Sequence, residues 1–200
     1  MRLTNYGFIG KKKQKNEQEN SDLGPPSHHI LDCTLRDGGY YNNWDFSPGL
    51  VQRYLDSIAL TGVRIVEMGF RSRHQAGYRG PCYYTTDDFL ASLSIPDHLE
   101  VAVMVNASDL LADDHPWAPI QTVNDLFAYA ESCPVDWVRI AAHPEEIGLL
   151  GPSIDRLKAL GYKVGLNIMQ VSRLTTSQLE ASVAIVASRI RPDILYFADS

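Results

Sequence analysis

The most constraining feature of the sequence is an alternation, from His28 onward, between short apolar runs rich in β-branched residues and longer segments with helical periodicity. Some runs, such as 101–105, are apolar throughout, which is typical of parallel strands buried on both faces. Thr122 and Thr175 or Thr176 are candidate helix N-caps. The alternation indicates successive βα units around a parallel sheet, an α/β fold. It predicts strands at 28–35, 63–69, 100–106, 136–142, 163–169 and 193–198, and helices at 48–61, 86–94, 122–132, 145–160 and 175–190.

The first 27 residues have a different character. Residues 11–20 are polar and charged, and Gly24-Pro25-Pro26 follows them. Such composition is typical of a segment that cannot bury enough apolar surface to fold. We therefore expect a disordered polar leader at 1–27 and a folded domain at 28–200.

Composition excludes several classes of protein. The net charge of −6 argues against nucleic acid or an anionic membrane as the main partner. The three cysteines, Cys33, Cys82 and Cys133, form no CxxC pair, so neither a zinc knuckle nor a disulfide framework is indicated. No apolar run approaches the roughly 20 residues of a membrane-spanning helix, and no signal-peptide pattern is present. We expect a cytoplasmic protein, in a reducing compartment.

The run Leu31–Gly39 carries the clearest chemical signal. An apolar strand is predicted to end in Arg36, Asp37 and two glycines, which allow a sharp turn and a close approach to a ligand. A carboxylate suits Mg²⁺ or Mn²⁺, and a neighbouring guanidinium can hold a carboxylate or a developing enolate oxygen. The alternative is a surface Arg–Asp ion pair before a glycine turn.

Five motifs together resemble one superfamily. The run LDCTLRDGG, Ile65-Val-Glu67-Met-Gly69, Val138–His143, Val164–Met169 and Tyr196–Ser200 are similar, in order and spacing, to the first, second, fourth, fifth and sixth strands of the DRE-TIM metallolyases. This superfamily has HMGL-like and pyruvate carboxyltransferase-type domains, and the 4-hydroxy-2-oxovalerate aldolases are the group most resembled. The resemblance covers about residues 28 to 200.

The resemblance implies a TIM (β/α)8 barrel, which needs eight βα units and typically about 250 residues. At roughly 30 residues per unit, 28–200 holds about six, so we expect an incomplete barrel: a partial TIM-barrel aldolase/HMGL-like catalytic domain. In the resembled family a His-x-His pair on the next strand supplies two metal ligands, and none occurs here. We expect those ligands beyond Ser200, in a longer gene product of which this chain is a fragment or truncated form.

The resemblance also assigns candidate site residues. Asp37 would bind the metal and Arg36 would bind substrate and stabilise the enolate. A buried carboxylate needs a partner, so Glu67 is expected to pair with Arg36; the alternative is an outward-facing, solvated Glu. His143 is a candidate catalytic residue, or a rim histidine that caps a helix beginning at Pro144.

Three further positions complete the set of expectations. Asn167 is a candidate substrate ligand, or a satisfied core amide. Asp199 and Ser200 lie at the predicted tip of the sixth strand, and Asp199 is a candidate substrate ligand. Tyr40 departs from the resembled aldolases, which have a His there as general base. A tyrosine does such work with a lowered pKa or a proton relay, so the substrate stays open.

The activity that the resemblance implies is a lyase reaction dependent on Mn²⁺ or Mg²⁺. Retro-aldol cleavage of a 4-hydroxy-2-oxovalerate-like 2-oxo acid would leave a pyruvate enolate bound to the metal. The alternatives are a catalytically inactive fragment, an interaction module of the family, or a related acyl-transferring enzyme of the pyruvate carboxyltransferase type. An aldehyde dehydrogenase that takes the product is the partner implied.

Overall fold

The structure is a computed structural model, and it describes residues 30–73, 77–112, 115 and 117–199. The expected leader at 1–27 lies outside the described residues, as do Ser200 and the first two positions of the predicted strand 28–35.

The described chain is built around one sheet of six parallel strands. They are β1 (Leu31–Asp32), β2 (Ile65–Phe70), β3 (Glu100–Asn106), β4 (Trp137–Ala142), β5 (Lys163–Ile168) and β6 (Ile194–Phe197). Each strand pairs with the next one in the sequence, in the order β1-β2-β3-β4-β5-β6. The six strands form a curled half-barrel with helices between them, so the predicted incomplete TIM barrel is confirmed.

Helices occupy the connections between the strands. They are α1 (Thr34–Gly38), α2 (Pro48–Ile58), α3 (Pro81–Tyr84), α4 (Asp87–Ala91), α5 (Ala107–Leu110), α6 (Ala118–Leu126), α7 (Gly151–Ala159) and α8 (Thr176–Ile185). Short 3-10 turns lie at Gly39–Tyr41, Ala130–Ser132, Ile147–Leu149 and Val171–Arg173, and a π-helical turn, Val186–Ile190, continues α8.

The core has the two-sided burial of a parallel sheet. All six residues of β2 are buried, and so are the central five of β3 and the last five of β4 and of β5. Helices cover the sheet with apolar side chains, including Leu55 of α2 and Leu157 of α7, which are fully buried. This agrees with the prediction from the uninterrupted apolar runs.

Several sequence-based expectations about local structure are wrong, including the helix predicted at 122–132, which the structure has as α6, Ala118–Leu126. The predicted strand at 28–35 ends at Asp32, and Thr34–Gly38 is helical because the Asp32 carboxylate accepts the Thr34 N–H at 2.9 Å and starts a turn. The helix predicted at 145–160 begins only at Gly151, after a 3-10 turn. Thr122 is not an N-cap, since it lies buried inside α6, whereas Thr175 forms a full capping box with Gln178.

Candidate active site at the carboxyl ends of the strands

The candidate site begins at α1, directly after β1. Arg36 and Asp37 lie within this short helix and not at the tip of a longer strand, which corrects the expected placement. The Asp37 N–H donates to the Cys33 carbonyl at 2.8 Å, closing the helical turn. One turn of helix therefore presents both side chains close to β2.

Glu67 is the centre of the site. Its side chain is fully buried, so the alternative of a solvated Glu is wrong. Arg36 Nε donates to Oε1 at 2.7 Å, the contact that the burial argument predicts, and Arg139 Nη1 donates to Oε2, also at 2.7 Å. One carboxylate thus bridges two guanidinium groups, because a buried charge requires partners of opposite sign.

The electrostatic surroundings keep Arg36 charged. Its side chain is 15% exposed, and burial alone would lower the pKa of the guanidinium. The carboxylates of Glu67 and Asp37 outweigh burial and raise the Arg36 pKa. Arg36 Nη1 forms an ion pair with Asp37 Oδ1, and the guanidinium carbon lies 5.9 Å from the centre of the Phe70 ring. The group is a permanent cation in a fixed orientation.

The second guanidinium, that of Arg139, is held by neighbouring strands. Arg139 lies on β4, and its guanidinium carbon sits 4.5 Å from the centre of the Tyr196 ring on β6. On β5 between them, a Cβ added to Gly165 would lie 3.1 Å from Arg139 Cγ. The small residue at 165 leaves room for the arginine stem. Arg139 Nε is buried and has no hydrogen-bond partner among the described residues.

Asp37 is the most accessible carboxylate of the group, with a side chain 53% exposed. Its Oδ2 accepts a hydrogen bond from Cys33 Sγ at 2.9 Å. Burial, and then the Asp37 carboxylate, raise the pKa of the Cys33 thiol to about 11. All three cysteines are free thiols.

The donor set of the site fits a divalent metal only in part. Asp37 offers hard oxygen atoms at an open position, which suits Mg²⁺ or Mn²⁺. Within the described residues no group of three His, Cys, Asp or Glu side chains is close enough together to hold an ion. This part of the chain therefore supplies one candidate ligand and not a complete metal site.

Tyr40 lies in an aromatic cluster at the mouth of the site. Its ring is edge-on to those of Trp44, at 4.8 Å, and Phe70, at 6.3 Å between ring centres. Tyr40 is 65% exposed, whereas Trp44 and Phe70 are buried. Phe70 thus lies near both the Tyr40 ring and the Arg36 guanidinium.

The remaining predicted residues lie at the carboxyl ends of β4, β5 and β6. His143 follows β4, is half-buried, and donates its main-chain N–H to Glu146 Oε2 at 2.7 Å. Asn167 is buried on β5, in register with Tyr196. Asp199 is exposed, and hydrogen bonding from Ser172, whose N–H lies 3.0 Å away, lowers its pKa. Among the described residues, the Arg36 and Glu67 hydrogen bonds include none of these three.

Sequence reasoning missed Arg139 and Trp44. Arg139 is a charged residue inside the apolar strand 137–142, the same signal that singled out Glu67, so the sequence could have identified it. Trp44 donates its indole N–H to the Arg36 carbonyl at 2.8 Å. No sequence signal reveals that contact, because it depends on how the loop after α1 folds back.

Several known proteins resemble this chain in sequence or in fold. No protein-family model matches the chain. An oxaloacetate decarboxylase of Mycobacterium tuberculosis is 26% identical over 174 residues, which are 86% of this chain and 47% of that protein. The chain therefore spans about half the length of the curated relative that it matches.

Two solved structures share the fold. One is the N-terminal domain of a candidate aldolase from Bacteroides vulgatus, with a TM-score of 0.60, 24% identity, and coverage of 84% of this chain and 62% of that one. The other is the HMG-CoA lyase of Bacillus subtilis, with a TM-score of 0.62, 9% identity, and coverage of 86% and 58%.

The fold and the site define a class: an incomplete TIM barrel with a cluster of charged side chains from α1, β2 and β4. The motif order and the 26% identical relative point to the DRE-TIM, or HMGL-like, superfamily and single out no member of it, and the two solved structures support the fold. Over the described ranges, no helix combines the length and the apolar character that crossing a bilayer requires.

Proposed function

We propose that this chain forms part of the catalytic domain of a carbon–carbon lyase that acts on a 2-oxo acid and generates a pyruvate enolate. The observation that carries the proposal is the fixed Arg36 guanidinium beside the exposed Asp37 carboxylate. Arg36 uses Nε for Glu67 and Nη1 for Asp37, and among its described contacts Nη2 has none. That donor is available to a substrate oxygen.

The role of Arg36 follows from where charge develops. When a 4-hydroxy-2-oxo acid is cleaved, the hydroxyl proton leaves, the C–C bond breaks, and its electron pair moves to the 2-oxo oxygen as an enolate. A guanidinium already oriented by Glu67 stabilises that oxygen without reorganising. The leaving fragment is an aldehyde, and the enolate takes a proton to become pyruvate.

The proton from the hydroxyl requires a base. Tyr40 and His143 are the candidates, each at the carboxyl end of the sheet, and His143 would act through a water molecule. Asn167 and Asp199 are proposed to contact the substrate from β5 and from the end of β6. The proposed substrate contacts thus come from β5 and the end of β6, and the proposed charge stabilisation comes from Arg36 on α1.

Asp37 is proposed as one oxygen ligand of Mn²⁺ or Mg²⁺. Such a metal would polarise the 2-oxo carbonyl as a Lewis acid. The exposed position of Asp37 and its hard oxygen atoms support this assignment. The hydrogen bond from Cys33 Sγ to Oδ2 and the ion pair of Oδ1 with Arg36 fix the orientation of the carboxylate.

The direct test is Asp37→Asn, in a form of the protein that turns over a 2-oxo acid in the presence of Mn²⁺. We expect turnover to be abolished with the melting temperature unchanged. Asp155→Asn is the matched control, because Asp155 is exposed on α7. Activity equal to the control's would refute the role of Asp37.

Decarboxylation of a 2-oxo dicarboxylic acid is the second candidate function. The matched relative is named an oxaloacetate decarboxylase, and loss of CO₂ gives a pyruvate enolate without removing a hydroxyl proton. The exposed Tyr40, where the resembled aldolases have His, supports a reaction without that base. Parallel assays of CO₂ release from oxaloacetate and aldehyde release from a 4-hydroxy-2-oxo acid distinguish the two reactions.

If the product is an aldehyde, the proposed partner is an aldehyde dehydrogenase. The proposed compartment is a reducing cytoplasm. Co-migration of the two proteins in size-exclusion chromatography tests this pairing. Migration of each at its own size would remove the partner from the proposal.

A further inference from the structure

We propose that Arg139 is a positioning residue for Arg36 and acts on it through Glu67. The inference rests on the proposed function, in which the Arg36 guanidinium stabilises a substrate oxygen. In the proposed reaction, Arg139 touches no reacting atom. Its contact with Glu67 determines which hydrogen-bond donors of Arg36 remain available at the mouth of the site.

The two carboxylate oxygens of Glu67 accept hydrogen bonds from two different arginines. An arginine facing a free carboxylate tends to form a fork of two parallel hydrogen bonds. Here Arg139 Nη1 occupies Oε2, so Arg36 contacts Glu67 through Nε alone, at Oε1. Arg36 keeps its Nη atoms for Asp37 and for a ligand. Without Arg139, both oxygens of Glu67 would be open to Arg36.

The buried position of Arg139 lowers the stability of the fold. Its side chain is 8% exposed and Nε has no hydrogen-bond partner among the described residues. A buried donor without a partner reduces stability, and such groups in proteins call for an explanation other than stability. The ring of Tyr196 and the small Gly165 hold the guanidinium in this position. These features fit a residue whose role is its contact with Glu67.

Arg71 provides the contrast. It is also a buried arginine, directly after β2, and it also lies against an aromatic ring, that of Phe127. Its donors reach the main-chain carbonyls of Thr85 and Leu126 and the side chain of Asp87. Arg71 thus links connecting segments together, whereas the only side-chain hydrogen bond described for Arg139 goes to Glu67.

The experiment compares Arg139→Met with Arg71→Met in ¹⁵N-labelled chain. The Arg36 Nε–Hε signal reports its contact with Glu67, and sodium oxalate serves as the probe, because its adjacent carboxylates resemble the enolate of a 2-oxo acid. In Arg139→Met we expect the Arg36 signal to move and exchange faster with solvent, and oxalate to bind on the order of tenfold more weakly. In Arg71→Met we expect a lower urea midpoint with the Arg36 signal and oxalate affinity unchanged.

If Arg139→Met does not fold, Arg139→Lys replaces it, since lysine keeps the charge and loses the planar stacking on Tyr196. The expected changes in the Arg36 signal and in oxalate affinity are then smaller and in the same direction. An Arg36 signal that stays unchanged in a folded Arg139 variant overturns the inference and assigns Arg139 a structural role. If oxalate moves no Arg36 signal in the unaltered chain, the proposed function fails at this site. The ligand-free Arg36 signal in the variants then still decides the role of Arg139.

Discussion

The indole N–H of Trp44 donates to the main-chain carbonyl of Arg36 at 2.8 Å. Asn43 and Trp44 both have positive φ angles, of 57° and 58°, which turn the chain back toward α1. The buried indole then lies against Gly39, where an added Cβ would be 1.9 Å from the Trp44 ring. The second glycine of the Asp-Gly-Gly run is therefore needed for space, and its own φ of −61° is ordinary.

Gly39→Ala should destabilise the protein by about 1–3 kcal/mol, the usual cost of forcing an extra carbon into a packed site. The displaced indole should also lose its hydrogen bond to Arg36. Urea denaturation measures the change, and Gly62→Ala is the control, because a Cβ at Gly62 would meet nothing within 4 Å. Equal stability of the two variants would contradict the packing described.

The stability of the β1 end should depend on pH through Asp32. Burial raises the Asp32 pKa, but hydrogen bonds from the Tyr54 hydroxyl at 2.6 Å and from Thr34 outweigh it, and the net pKa is lowered. A depressed carboxyl pKa contributes stability above the unfolded-state pKa, near 3.8, and that contribution is lost as the pH falls through the folded-state pKa.

Tyr54→Phe should therefore cost about 1 kcal/mol at pH 7, and less at pH 3, which lies below the unfolded-state pKa of Asp32 near 3.8. The expected loss of stability is small because Asp32 is only half-buried. Urea midpoints at the two pH values measure the difference. Tyr41→Phe is the control, since Tyr41 is 95% exposed. A Tyr54→Phe effect that grows on acidification would show the opposite sign of linkage.

Glu67→Gln should be among the most damaging single changes in the chain. It leaves Arg139 buried without its counter-charge and leaves Arg36 with Asp37 alone, for an expected loss of about 3–5 kcal/mol in the free energy of unfolding. Glu180→Gln, at an exposed position on α8, makes the same chemical change without burial. If both variants lose the same amount, the charge of Glu67 has no structural importance.

Arg36→Lys should lower kcat more than it raises KM, with kcat falling on the order of a hundredfold. Lysine keeps the charge but cannot contact Glu67 and a ligand oxygen through a rigid fork. Steady-state kinetics on a preparation active on a 2-oxo acid provide the measurement, with Arg53→Lys on the exposed face of α2 as the control. Normal kcat with a raised KM would instead assign Arg36 to substrate anchoring.

The polypeptide 1–200 should self-associate through its β6 edge. Phe197 is 53% exposed on that strand, and an open apolar edge is a template for pairing with another chain. Phe197→Lys should shift the light-scattering mass toward the monomer. Leu60→Lys removes an exposed apolar side chain away from the sheet and should not. A monodisperse monomer of the unaltered polypeptide would contradict this expectation.

The strands were the most predictable part of the fold. The predicted strand at 100–106 has the observed bounds of β3, because a run buried on both faces leaves little ambiguity in its period. The first strand was overextended because Leu35 continues the apolar run, yet Leu35 is buried from a helix that Asp32 initiates. A short-range hydrogen bond from a side chain overrode the apolar pattern there.

The candidate site was predictable only in part. The Arg36–Glu67 contact follows from the rule that a buried carboxylate needs a partner, and the structure confirms that contact. Trp44 lay beyond sequence reasoning because two consecutive left-handed residues, neither of them glycine, direct it back to Arg36. Such conformations are uncommon for bulky residues, and no local preference predicts them.

The strand order has a consequence for how the chain acquires its structure. Because every strand pairs with the one made just before it, each new βα unit adds to an edge that already exists. The pairing partner of each strand after β1 is therefore already made when that strand is synthesised. The sheet can thus grow from β1 toward β6 during synthesis on the ribosome, in the direction in which domains generally fold. On that route the Arg36–Glu67 pair forms early. When β4 joins the sheet, its Arg139 meets a Glu67 carboxylate that Arg36 already contacts.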